Sequence, residues 1–161
     1  MQIKKGKTLF SYKDTWNLNT QLSKVIVSGL LKFKEVINAE EGRKGVPASI
    51  SCYLVEQGEI SYEDGFSLSD EDWEKAYAYF DYVLDEMIFA FSDNEPDIMA
   101  YDFKHNMIRD DVQDDSPCVA MTIECTNEEE STRYNKDMVE YGERCEKGRE
   151  LFAKFYDGLW W

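Results

Sequence analysis

The sequence predicts a mainly α protein: a compact three-helix core with a small inserted antiparallel β-hairpin. Two observations lead there. Apolar residues recur at three- and four-residue steps in three segments, near residues 19–38, 70–91 and 127–157. Between the last two, residues 97–125 change character, with "DIMAYDF" and "CVAMTIEC" reading as short β-prone runs. A chain of 161 residues argues for a single domain, 1–161, carrying 97–125 as an insertion.

The first helix follows "DTWNLNT". Leu22, Val25, Ile26, Leu30, Phe33 and Ile37 mark its apolar positions, and Asn19 or Thr20 is placed to cap it. Gly42, Gly45 and Pro47 then read as a loop. Residues 48–67 stay open: "ISCYLV" suits a short strand or a turn of helix, and "EQGEISYEDGF" a surface loop. The second helix has the clearest start. Ser69 is a good N-cap, Asp70, Glu71 and Asp72 suit the positive end, and Leu68 with Trp73 fits a hydrophobic staple. In the inserted segment, Val119, Met121, Ile123 and Cys125 alternate with Ala120, Thr122 and Glu124, as in a half-buried strand. The third helix opens at the capping-box-like "TNEE". Tyr134, Met138, Tyr141, Cys145, Gly148, Phe152, Phe155 and Leu159 form a heptad-like seam along it. Gly142 and Gly148 weaken that helix locally and permit close approach of another.

The adjacent acids Asp85 and Glu86 interrupt the apolar run "DYVLDEMIFAF". On a helical wheel, Asp85 joins Glu74 and Asp81 on a polar stripe, while Glu86 falls among Tyr79, Tyr82 and Phe89. Asp85 then reads as solvated or paired with a lysine. Glu86 reads as a core acid satisfied by Arg144, Arg149 or a backbone group, as a residue lining a ligand pocket or subunit contact, or, least of the three, as part of a catalytic acid–base or metal pair.

The formal net charge of -15 opposes nonspecific binding to nucleic acid or anionic membrane, which needs basic surface. It suits a basic protein partner or mimicry of nucleic acid. The four cysteines form no CxxC and His105 has no cysteine near it in sequence, so no metal site is expected. Free thiols in a reducing cytoplasm are the simplest reading of them. The N-terminus lacks the apolar core of a signal peptide, and no apolar run reaches the roughly 18 residues of a membrane span. No phosphate loop or nucleophile–base motif appears, so neither catalysis nor a cofactor is expected. The third-helix seam, with a second helix apolar on two sides, suggests a homo-oligomer.

Three blocks carry a resemblance: Asp14, Thr15, Trp16 and Leu18; Trp73, Leu84, Asp85, Glu86, Met87, Ile88, Ala90 and Phe91; and Gly148, Leu151, Phe152, Lys154, Tyr156, Leu159 and Trp160. Together they resemble a family of short proteins of tailed bacteriophages, over about two fifths of the chain. The sequence departs from that pattern at Asn17 and Asn19, where the family often has Ser and Asp, and residues 97–135 look like an insertion. The resemblance implies a phage accessory, anti-defence protein acting in the cytoplasm of the infected bacterial host. The first expectation is a non-catalytic sponge for a host nucleotide immune signal such as a cyclic dinucleotide. Tyr12, Lys13, Trp16, Lys24, Arg43, Lys44, Tyr53 and Glu86 are its candidate ligand-binding residues. The alternative is an acidic inhibitor of a basic host protein, using Glu63, Asp64, Asp70, Glu71 and Asp72 with Asp110, Asp111, Asp114 and Asp115.

Overall fold

A computed structural model of the chain describes residues 2–4, 7–9, 15–38, 45–63, 67–109, 119–124 and 127–159; for 2–4, 7–9, 104–109 and 119–124 only the backbone is described. Four α-helices stand among these residues: α1 (Leu18–Ile37), α2 (Ala48–Glu56), α3 (Asp70–Phe91) and α4 (Glu128–Phe155). The chain divides into two compact units, one of Met1–Asp93 with Arg144–Trp161 and one of Asn94–Glu143.

In the first unit α3 is the organising helix. Its buried residues Ala76, Phe80, Val83, Leu84, Met87 and Ala90 follow helical spacing. Ser69 Oγ accepts from the Asp72 amide, so this helix starts where its cap and its three first-turn acids place it. Leu30 and Ile37 of α1, Ile50 and Leu54 of α2, and Leu151 and Phe155 of α4 join the same core cluster. Aromatic edges lock the layers: Phe33 of α1 meets Phe80 at 6.2 Å, and Phe152 of α4 meets Phe91 at 5.0 Å.

The second unit is built around Tyr101 and Phe103, both buried, with the ring of Tyr134 edge-on to each. The Tyr101 hydroxyl donates to Asp137 at 2.6 Å. Asn127 Oδ1 accepts from the amides of Glu129 and Glu130, which makes it the cap of α4.

The predicted fold class is corrected. The described core is built by four helices rather than three, because residues 48–56 are helical. Apart from Ile60 and Leu68, in the link between α2 and α3, its buried residues are helical, so an inserted β-hairpin over 97–125 is not shown as part of the fold. Residues 97–103 are instead a short 3-10 turn, Ile98–Ala100, followed by extended chain. The backbone runs Lys104–Arg109 and Val119–Glu124 pair antiparallel with Lys104 opposite Glu124, as do Gln2–Lys4 and Lys7–Leu9 with Gln2 opposite Leu9. Each is an isolated two-stranded ladder, a form that is marginal in water by itself.

The helix α2 went unread because a short continuous apolar run has no period of its own. Its end did leave a mark. Gly58 takes φ 75°, and the amides of Gly58 and Glu59 bond the carbonyls of Val55 and Leu54. That is a Schellman cap, which glycine makes at low cost.

Candidate functional site

The acid pair on α3 separates as the wheel divided it. Asp85 is exposed and bonds Lys34 of α1. Glu86 is buried, and both carboxylate oxygens accept from Arg144 of α4 at 2.8–3.0 Å. The guanidinium lies 3.8 Å from the centre of the Phe89 ring, which accounts for the aromatic neighbours of that acid. Hydrogen bonding to Glu86 is the main cause holding Arg144 above the usual arginine value. Gly148, one turn further along α4, sits against the backbone of α3. A Cβ there would overlap the Glu86 carbonyl oxygen and the Ala90 side chain. The small residue brings the helices close, and the bidentate pair then fixes their register. With both oxygens on Arg144, Glu86 ties α3 to α4.

A second constellation lies between α2 and α3. Tyr53 and Leu54 of α2, Gln57 and Glu59 beyond its end, and Lys75 and Tyr79 of α3 line a cavity of about 330 Å³. Its size is at the small end of ligand pockets. Tyr53 and Tyr79 stack at 5.6 Å between centroids, and Lys154 covers Tyr53 at 3.4 Å. Burial, with the neighbouring Tyr53, pushes the Tyr79 hydroxyl far above its ordinary value. Tyr79 and Lys154 thus both pack on the Tyr53 ring. The cation in the lining, Lys75, is bound by Glu71 at 3.0 Å and Asp72 at 3.4 Å. Glu59 adds a further negative charge to the lining. The arrangement suits a neutral or hydrogen-bond-donating group better than a phosphate.

Of the predicted ligand-binding residues, Tyr12, Lys13, Arg43 and Lys44 lie outside the described residues. Trp16 is exposed ahead of α1, and Lys24 is exposed on it. Tyr53 lines the cavity and Glu86 is tied to Arg144, with Lys147 within electrostatic reach of both. Gln57, Glu59, Lys75 and Tyr79 were missed. Lys75 and Tyr79 are four residues apart on α3, and Tyr53 and Gln57 four apart at the end of α2, a spacing readable for the second pair only once 48–56 is known to be helical.

Among the described residues no three His, Cys, Asp or Glu side chains converge as a metal site. Cys52 and Cys145 are free thiols, and Cys118 and Cys125 lie outside the described residues, as do Asp64, Asp110, Asp111, Asp114 and Asp115. No described helix is long and apolar enough to cross a membrane.

Charge is the most uneven property of the molecule. Residues 94–143 hold 14 acids against 4 Lys and Arg, while the remainder holds 19 against 14. The N-terminal stretch inverts the sign, with seven lysines and one acid in residues 1–34. Many described cations are committed within the molecule: Lys32 to Glu35, Lys34 to Asp85, Lys75 to Glu71 and Asp72, Arg133 to Glu130, Lys136 to Glu140, and Arg144 to Glu86. No family model matches the chain, and no curated protein or solved structure matches it.

Proposed function

We propose that this protein is a non-catalytic binding protein that uses the acidic unit, Asn94–Glu143, to engage a basic surface on a host protein. The observation that carries this reading is the segregation of charge: the 14 acids of that unit exceed its four cations by ten. A surface of this kind steers a basic partner and repels nucleic acid. The setting is the one implied by the resemblance to tailed-phage proteins, an anti-defence role in the infected cell's cytoplasm. The test uses the full chain as bait in a bacterial lysate, beside a variant carrying Glu95→Gln, Asp102→Asn and Glu143→Gln, three exposed acids of that unit. The expected result is one captured protein whose affinity falls steeply as salt rises from about 0.05 M to about 0.5 M. That capture weakens in the variant, while its melting curve stays unchanged. Binding indifferent to both salt and the substitutions would sink the reading.

A second reading, sequestration of a nucleotide, is favoured by the aromatic-walled cavity beside Tyr53. The commitment of Lys75 to two carboxylates counts against it for phosphate-rich ligands. A thermal-shift series with cyclic dinucleotides and the matching nucleosides decides it. A shift with cyclic dinucleotides that Tyr79→Phe weakens and the acidic-unit substitutions leave alone would replace the first reading.

A further inference from the structure

The N-terminal half of α1 keeps an apolar line in solvent. Leu18, Leu22 and Val25 are 39%, 43% and 40% exposed, although the same helix sends Leu30 and Ile37 into the core. At 100° per residue these three and Gly29 fall within an arc of about 60°, to one side of the buried face. Gly29 is the unusual member. Glycine is among the poorest residues for a helix interior, and here no atom of the described residues lies within 4 Å of where its Cβ would be. The internal packing of the protein gives this glycine no reason; contrast Gly148, where α3 fills the space. A glycine ending a line of Leu and Val is what a close-packed neighbouring helix needs.

The geometry points to a second copy of this chain as that neighbour, in an isologous dimer with α1 against α1 in antiparallel register. The line is self-complementary about the point between Ser23 and Lys24. Set antiparallel on that axis, Leu18 of each copy falls on the bare backbone of Gly29 of the other, and Leu22 falls opposite Val25. Charge selects the same face. Two copies of net charge -15 repel, and contact costs least where acids are missing. Residues 15–34 hold no Asp or Glu at all. Lys24 lies well round the helix from the line, and Lys32 is bonded to Glu35, so no lysine is set against its own copy on the axis. This inference does not depend on the acidic unit's partner.

Light scattering and sedimentation of the full chain across a concentration series test it. The expected result is a reversible dimer that tightens when salt screens the repulsion. Leu22→Glu and Gly29→Leu each weaken it at least tenfold, while both variants keep the helical circular-dichroism signal. Leu31→Glu, which changes an exposed leucine about 150° round the same helix, leaves the dimer intact. A chain monomeric up to about 100 µM at low and high salt overturns the proposal, that concentration corresponding to only about 5.5 kcal/mol of association. So does a dimer untouched by Leu22→Glu and Gly29→Leu, or one disrupted equally by Leu31→Glu. Binding to anionic vesicles through Leu22 with no dimer in solution would assign the face to a membrane surface and equally overturn it.

Discussion

Helices α3 and α1 differ little in length, 22 residues against 20, and both carry apolar residues at helical spacing. Their fates differ. Helix α3 buries seven residues, Glu86 among them, whereas α1 buries Leu30 and Ile37 alone. The cause is position: residues of α1, α2 and α4 join α3 in the same core cluster, so even a carboxylate on it becomes enclosed and must be met by a cation. Periodicity therefore announces an amphipathic helix without saying how many neighbours its apolar side will find. In α1 the difference is left as exposed leucine and valine, and that remainder is where an interaction surface is to be sought.

The largest effect that sharpens this contrast is core truncation. Met87→Ala on α3 removes a fully buried side chain and is expected to cost about 2–5 kcal/mol. Leu22→Ala on α1 should stay within about 0.5 kcal/mol for the isolated chain. Chemical denaturation of both, at concentrations too low for association, checks the pair. Equal losses would break the comparison.

Next comes the Glu86–Arg144 clamp. Glu86→Gln keeps the shape but removes the charge and one acceptor from the guanidinium. A loss of about 1–3 kcal/mol is expected, below that of a fully enclosed pair because the Arg144 side chain is 47% exposed and can turn to water. The same denaturation experiment should show a lowered midpoint, and titration with any ligand of the Tyr53 cavity should give an unchanged affinity. An unaltered midpoint would mean that the close approach at Gly148 suffices to hold α3 and α4 together.

A smaller change of opposite sign tests the spare glycine. Gly29→Ala meets open space, so it is expected to raise stability by up to about 1 kcal/mol through helix propensity and reduced freedom of the unfolded chain. A destabilised variant, measured at low concentration, would show that Gly29 serves the fold itself.

The smallest effect is confined to alkaline solution. The Tyr79 hydroxyl ionises above its ordinary value of 10.0 in the folded chain, chiefly through burial. The neutral form is thus favoured by folding. Its contribution is complete below about pH 10 and is lost as the unfolded chain begins to ionise and pH climbs towards the folded value. Tyr79→Phe should flatten part of the alkaline decline in melting temperature while leaving the curve at pH 7–9 parallel to the parent. Identical alkaline slopes would show that other tyrosines carry the decline.

How legible each element was follows from where its cause lies. Ser69 with its first-turn acids announced the start of α3 because the cap bond is local, closed within three residues. Helices α1 and α4 were legible to within a residue or two because their periodicity runs for five turns or more. Helix α2 was not, since nine residues with a continuous apolar centre fit two conformations. The cavity beside it stayed hidden for the same reason.

By itself the sequence determined the long helices, the acidic balance and its concentration in residues 94–143, and the division of Asp85 from Glu86 onto different faces. These rest on composition and on spacings within one helix. Tertiary structure alone chose Arg144, 58 residues away, over Arg149 as the partner of Glu86, coiled "ISCYLV" against α3, and set Gly148 rather than Gly142 against another helix, while Gly29 meets none of the described residues. Contacts between segments far apart in sequence depend on which faces meet, and no local pattern encodes that choice.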